Sequence, residues 1–230
     1  MRKILFANNK IYHIFNRGTD KRKIFLSKSN YERFLLNLSI LNDLDNIQHH
    51  LSRFDLENPN LIKFKPKPLV DVLCYCLMPN HYHLLVRQKI DNGIPKFLHK
   101  LQMGYSKYFN TLHDRSGNLF QGAYKAVEIN NDSQFKYIPL YIHMNPLDLV
   151  EGEWKENGIK DIKKGINFLK EYKWSSLRNY VNGLATPYLN MRTISDLYSS
   201  GDWEEEIRSF LSSLNVRHRV SAIVGDIFHV

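Results

Sequence analysis

The chain has 230 residues, 43% hydrophobic and 13% aromatic, with 32 Lys+Arg against 23 Asp+Glu and a formal charge of +9. That is enough for one well-packed domain with appendages, or two small ones, and it excludes a disordered chain. A mean hydropathy of −0.41 and the lack of any apolar run near the ~18 residues of a membrane helix exclude a transmembrane protein.

The opening MRKILFANNK is basic, then polar. It has no sustained apolar region and no small-residue cleavage site, so no secretory signal is expected. Cys74 and Cys76 are the only cysteines. Two residues apart, they are too close for an ordinary structural disulfide, and a cytoplasmic protein is the default. The charge is uneven. From Met1 to Leu36 nine basic residues stand against Asp20 and Glu32, whereas from Ser199 onward Arg208, Arg217 and Arg219 are outnumbered by five acidic residues. A basic N-terminal third suits a polyanion, most simply nucleic acid; the plainer alternative is a solvated basic face.

Lys10–Asn16 (KIYHIFN) is β-branched and aromatic and reads as a strand, with Arg17-Gly18 as a turn. Ser29 with Glu32 predicts a capping box, opening a helix with Phe34, Leu35, Leu38 and Leu41 on one face. Residues 46–68 hold Pro59, Pro66 and Pro68 and read as a loop. Leu69–Met78 is a buried-type strand, Pro79-Asn80 a turn, and His81–Gln88 the returning strand. Ile94–Leu112 has helical period, Asp114–Gly117 reads as a turn and Asn118–Ile129 as a strand. Asn131 or Asp132 caps a helix ending near Asn145-Pro146. This order predicts an α+β fold: a ferredoxin-like β-α-β-β-α-β core with an antiparallel sheet, one further helix, and a mostly helical extension that includes Trp203–Leu214. The expected division is residues 1–150 as one domain and 151–230 as a C-terminal extension.

Two motifs carry chemistry. In His81-Tyr82-His83 the strand alternation turns both imidazoles to one face, where they can chelate a divalent ion. Such a pair is also common as ordinary packing. If Pro79-Asn80 is a two-residue turn, Cys74 and Cys76 join that face, and a Cys₂His₂ zinc site becomes a rival reading. In Tyr141-Ile142-His143-Met144-Asn145-Pro146, Tyr141 and Asn145 lie one helical turn apart and pair a hydroxyl with an amide oxygen suited to a hard cation. The alternative is a core tyrosine and a helix cap. Tyr137 shares that face; His143 is on the opposite side and is not counted as a ligand.

Together these segments resemble one family. LMPNHYHLLV is similar to the HUH motif of single-tyrosine transposases, and YIHMNP to their nucleophile helix. YHIFNRGTDKRKIF, YSKYFNTLHDRSGNLFQGAYK and WSS resemble the branch called REP-associated tyrosine transposases, or their close bacterial relatives. The likeness runs from about Tyr12 to about Ser176. It implies His81 and His83 as metal ligands completed by Asn145, Tyr141 as the nucleophile, and Mg²⁺ or Mn²⁺ as the cofactor. His13, Asn16 and Arg17 fall in the family's N-terminal motif and receive no catalytic role. Ala123 stands where relatives often have a basic residue.

The implied reaction is cleavage and rejoining of single-stranded DNA beside a hairpin, in the bacterial cytoplasm, through a 5′-phosphotyrosine. Arg17, Lys21, Arg22 and Lys23 would track phosphates. Tyr105 or Tyr108 could stack on bases, although helix packing is the stronger reading for both. Some members of the family are dimers that exchange the tyrosine helix and others are monomers, so the resemblance allows a homodimer. Competing functions are a hairpin-binding regulator that no longer cuts, a structural zinc protein, and a metal-dependent RNA enzyme.

Overall fold

The structure is a computed structural model in which residues 4–45, 67–198 and 202–212 are described. Four strands form one sheet: β1 (Ile11–Arg17), β2 (Val70–Met78), β3 (His81–Gln88) and β4 (Lys125–Ile129), in the order β2-β3-β1-β4 with every neighbouring pair antiparallel. Helices α1 (Lys28–Ile40) and α2 (Gly93–Leu112) complete the ferredoxin-like core. Helix α3 (Asp132–Met144) follows and passes into a 3-10 turn, Asn145–Leu149.

Strand pairing sorts the side chains into two layers, because residues opposite one another on neighbouring strands share a face. Phe15 pairs with His83 and Arg17 with His81 across β1 and β3, and Cys76 pairs with His83 and Met78 with His81 across the hairpin. One face therefore holds His13, Phe15, Arg17, His81, His83, Cys74 and Cys76. The other holds Tyr12, Ile14, Tyr82 and Leu84.

Helices α1 and α2 cover the Tyr82 face. Phe34 of α1 packs its ring 5.1 Å from that of Tyr82, and Gln102 of α2 donates to the Tyr82 hydroxyl at 2.6 Å. Tyr105 is fully buried there and donates to the Ile24 carbonyl, so it is a core residue and offers no stacking surface. Tyr108 is half-buried beneath the Arg33 guanidinium. Helix α3 covers the histidine face. With both faces covered, β2 is buried along its whole length.

The chain beyond α3 builds short helices α4 (Trp154–Asn157), α5 (Ile162–Glu171), α6 (Leu177–Asn182) and α7 (Arg192–Ser195), then α8 (Trp203–Ser212). It dresses the open edge of β2: Leu77 N–H donates to Trp174 O at 2.8 Å, Ser176 N–H to Tyr75 O at 3.0 Å, and Asn190 N–H to Val72 O at 2.8 Å. These bonds satisfy backbone groups that an open edge would leave unpaired.

Three expectations need correction. The α1 cap is Ser27, not Ser29; its partner is Asn30, whose Oδ1 accepts from the Leu26 and Ser27 N–H groups at 2.9 and 3.2 Å. Residues 118–124 are not strand, because only Lys125–Ile129 find ladder partners on β1. Strand β1 runs to Arg17 rather than stopping at Asn16. The proline-bearing loop lies outside the described residues over 46–66, as does the expected end of the last helix at 213–214. Among the described residues no helix is long and apolar enough to cross a membrane.

Candidate active site

The two-residue turn at Pro79-Asn80 sets His81 and His83 on one side of β3, with ring centroids 5.0 Å apart. His81 Nδ1 lies 2.7 Å from Asn80 Oδ1. An amide oxygen only accepts, so Nδ1 carries the proton and Nε2 keeps its lone pair. His83 Nδ1 lies 2.9 Å from His13 Nε2, and those two rings stack at 5.1 Å. His13 is thus a member of the site that sequence reasoning left without a role. Its alternation with Phe15 and Arg17 placed those three on one face. Only the β1–β3 register shows that this is the face of the histidine pair.

Helix α3 begins where the Asn131 side chain accepts from Gln134 N–H at 2.9 Å, the cap expected there. Its Tyr141 ring stands edge-on to His83 and His13, with centroids 6.1 and 6.4 Å away. Tyr137 stacks on Tyr141 at 6.5 Å and packs against Phe210 of α8 at 4.7 Å. Asn145 donates its amide N–H to Tyr141 O at 2.8 Å, which ties the nitrogen to the helix and leaves Oδ1 as the group suited to ligation. His143, on the far side of the helix, bonds Ser176 Oγ at 2.8 Å. All of these groups belong to one chain.

Beyond the helix, Lys155 stands over the Tyr141 ring. Lys155 Nζ lies 5.6 Å from the centroid of the Tyr141 ring and 5.6 Å from that of Trp154. It pairs with Asp148 Oδ2 at 2.9 Å, and Trp154 Nε1 donates to Asp148 Oδ1 at 2.7 Å. Nothing in the local sequence of WKEN signals this, since Lys155 reaches the site through the chain reversal after Leu149.

Burial dominates the electrostatics. Tyr141 is 2% and His83 1% exposed. Burial pushes His13 and His81 down to about 3, with Lys155 and Arg17 adding to the effect on His81. His83 is pushed well below the ordinary histidine range by burial, then by His81, His13 and Lys155. The Tyr141 phenol is pushed up by burial and by the charge of Asp148. All three imidazoles are therefore neutral at pH 7, the state a metal ion requires.

The two neutral imidazoles, one with its lone pair fixed by Asn80, suit a divalent cation. The Cys₂His₂ reading fails. Cys74 and Cys76 do share the histidine face, but both are free, buried thiols pushed upward by desolvation. Among the described residues no three His, Cys, Asp or Glu side chains gather into a metal cluster. A third ligand must then be of another kind, such as an amide, a water or a substrate oxygen.

The four basic residues singled out from the sequence lie at the end of β1 and just beyond. Arg17 is cross-strand from His81 and bonds Gln121; Arg22 pairs with Asp20 at 3.5 Å; Lys21 and Lys23 are exposed. This loop docks on the β2–β3 turn: Gly18 N–H donates to Asn80 O at 2.8 Å, and Asn80 Nδ2 to Lys21 O at 3.3 Å. A Cβ on Gly18 would stand 2.3 Å from Arg22 O. Gly18→Ala is therefore expected to push the loop off the turn, at a cost of about 1–3 kcal/mol. Chemical denaturation checks the loss; an unchanged midpoint would show that the loop absorbs the methyl.

Residues 61–145 match the family model described as "Transposase IS200 like", a span that contains both the HYH motif and the YIHMN segment. Over that span the chain is similar to the IS200-like transposases. Among solved structures it is similar to a REP-associated tyrosine transposase bound to a REP hairpin, at 13% identity over 83% of this chain and 90% of that one, with a TM-score of 0.51. That likeness supports the family fold. A candidate transposase of Deinococcus radiodurans R1 aligns at 15% identity over 62% of this chain and 95% of that one, with a TM-score of only 0.34. No curated protein matches the chain.

Proposed function

We propose that this chain is an IS200-like transposase that cuts and rejoins single-stranded DNA beside hairpins, in the manner of a REP-associated tyrosine transposase, with Tyr141 as nucleophile. One observation carries the reading: the Tyr141 ring lies 6.1 Å from His83, which lies 5.0 Å from His81, within a single chain. The solved relative bound to a REP hairpin supports the choice of substrate. In this reading residues 1–150 form the catalytic domain and 151–230 an extension, and a homodimer is not needed to complete the site.

The chemistry follows from the residues. His81, His83 and Asn145 would hold Mg²⁺ or Mn²⁺, which when bound would supply charge withdrawal from the phosphate. Asn80 keeps His81 in the ligating tautomer and His13 orients His83. The Tyr141 phenol gives its proton to water. Its oxygen bonds phosphorus, the bond to the 3′ oxygen breaks, and that oxygen takes up a proton from water. The 5′ side stays on Tyr141 and a 3′-hydroxyl is released. Attack by another 3′-hydroxyl reverses the step with no nucleotide cofactor. Arg17, Lys21, Arg22 and Lys23 line the approach beside His81 and bind phosphates.

A second reading is a hairpin-binding regulator that no longer cuts. The observation favouring it is the burial of Tyr141, 2% exposed with its phenol pushed upward.

The test incubates the protein with end-labelled single-stranded hairpin oligonucleotides carrying randomised flanks, with Mg²⁺, Mn²⁺ or EDTA. A denaturing gel then separates covalent adducts. The transposase reading expects a metal-dependent adduct; tight hairpin binding without one supports the regulator. His81→Ala is expected to lower adduct formation at least about 100-fold while hairpin binding falls less than about tenfold. Undiminished cleavage by His81→Ala would sink the assignment of the histidine pair.

A further inference from the structure

The Tyr141 site includes a cation that the metal–tyrosine chemistry leaves unused. Lys155 Nζ sits 5.6 Å from the Tyr141 ring centroid, on the side of the site that reaches the surface; its side chain is 24% exposed. Its ammonium stands 5.6 Å from the centroid of each of two aromatic rings, those of Tyr141 and Trp154. Its charge is aimed by Asp148, at 2.9 Å, and Asp148 is itself held by Trp154 Nε1 at 2.7 Å. A lysine kept only for stability has no need of such a mount, because a partly exposed ion pair contributes little. Lys155 therefore holds a cation over the ring of the proposed nucleophile, beside which a scissile phosphate would bind.

We propose that Lys155 is a catalytic residue that binds the scissile phosphate and then the phosphotyrosine formed from it. This rests on the transposase reading above. In the free protein Asp148 neutralises and orients the ammonium. When a strand enters, a non-bridging phosphate oxygen takes over from Asp148, or shares the lysine with it. The cation then opposes the negative charge that builds on the phosphoryl oxygens as the Tyr141 oxygen bonds phosphorus and the 3′ oxygen departs. Lys155 transfers no proton; it acts as a fixed positive charge, preorganised before the reaction. The C-terminal extension thus supplies part of the active site as well as covering the edge of β2.

The experiment compares single-turnover adduct formation by the full-length protein and its Lys155→Met variant. Methionine keeps an unbranched stem for packing on the two rings and removes only the charge. Two versions of a strand recovered from the wild-type adduct are used: one with the ordinary scissile phosphate, one with an uncharged methylphosphonate there. On the ordinary strand Lys155→Met is expected to be slower by about 10–100-fold, with hairpin affinity changed less than about threefold because many other phosphates remain bound. On the methylphosphonate strand the penalty should shrink below about threefold, since the charge that Lys155 meets is gone. Lys155→Arg should recover most of the rate on the ordinary strand.

A Lys155→Met rate within about threefold of wild type on the ordinary strand overturns the proposal. So does an equal penalty on both strands, which marks a role in packing alone. If Lys155→Met does not fold, the same comparison is made with Lys155→Gln, which also lacks the charge and should show its rate deficit only on the charged strand; equal deficits on both overturn the proposal. A wild-type protein that forms no adduct overturns this proposal together with the transposase reading. A normal wild-type adduct with an indifferent Lys155 overturns only this one.

Discussion

Replacing Tyr141 with phenylalanine is expected to abolish the covalent protein–DNA adduct, by at least about 10⁴-fold, while the fold survives. Only the oxygen proposed as the nucleophile is removed. The ring stays, and with it the edge-on packing against His13 and His83 at 6.4 and 6.1 Å. Loss of one buried hydroxyl costs about 1 kcal/mol, so a thermal melt should shift by only a few degrees. Tyr137 is the informative control. It stacks on Tyr141 at 6.5 Å and packs against Phe210 of α8 at 4.7 Å. Peptide mapping of the wild-type adduct should find DNA on Tyr141. An adduct that persists in Tyr141→Phe and maps to Tyr137 would mean that the helix presents a different tyrosine to DNA.

The second large effect is acid instability well above the carboxylate range. His13, His81 and His143 are each pushed down to about 3 by burial, and His83 well below its ordinary range. In the unfolded chain they titrate near 6.5. Below that pH the unfolded state takes up protons that the folded state refuses. Stability is therefore complete above about pH 6.5 and is lost progressively as the pH falls toward 3. Each such histidine removes up to about 1.4 kcal/mol per pH unit. Four of them can exhaust the usual 5–15 kcal/mol of domain stability within two or three units. The expected outcome is cooperative unfolding with a midpoint between about pH 4 and 5.5, followed by far-UV circular dichroism and tryptophan fluorescence. Saturating Mn²⁺ should move that midpoint to lower pH, because bound imidazoles resist protonation. A chain that stays folded at pH 4 with an unchanged melt would contradict neutral, buried histidines.

Much of this architecture is legible in one dimension because its signals are local. The β2–β3 hairpin is visible as two apolar runs around Pro79-Asn80, and its tight turn places Cys76 opposite His83, as the parity argument requires. Helix α3 is bracketed by Asn131 and by the Asn145-Pro146 pair. Errors arose where neighbours compete. Ser27 and Ser29 both offer a hydroxyl ahead of α1, and the helix takes the one whose third residue is Asn30. Residues 118–124 carry strand-like composition, but β1 offers ladder partners only from Lys125 onward.

Local pattern could place His81 with His83 on one strand face, and Tyr141 with Asn145 on one helix face, because periods of two and 3.6 residues are properties of the backbone itself. Whether those two faces meet is a matter of packing. The chain brings them together because α1 and α2 occupy the Tyr82 side of the sheet, which leaves α3 the histidine side. The same packing adds His13 from β1 and Lys155 from beyond the 3-10 turn, residues far apart in sequence with no shared period to announce them. It also removes Tyr105 from any surface role and turns the two cysteines into core thiols. Motif chemistry is written in short spacings, whereas the neutral state of the imidazoles and the cation beside the tyrosine exist only once the layers close and water is excluded.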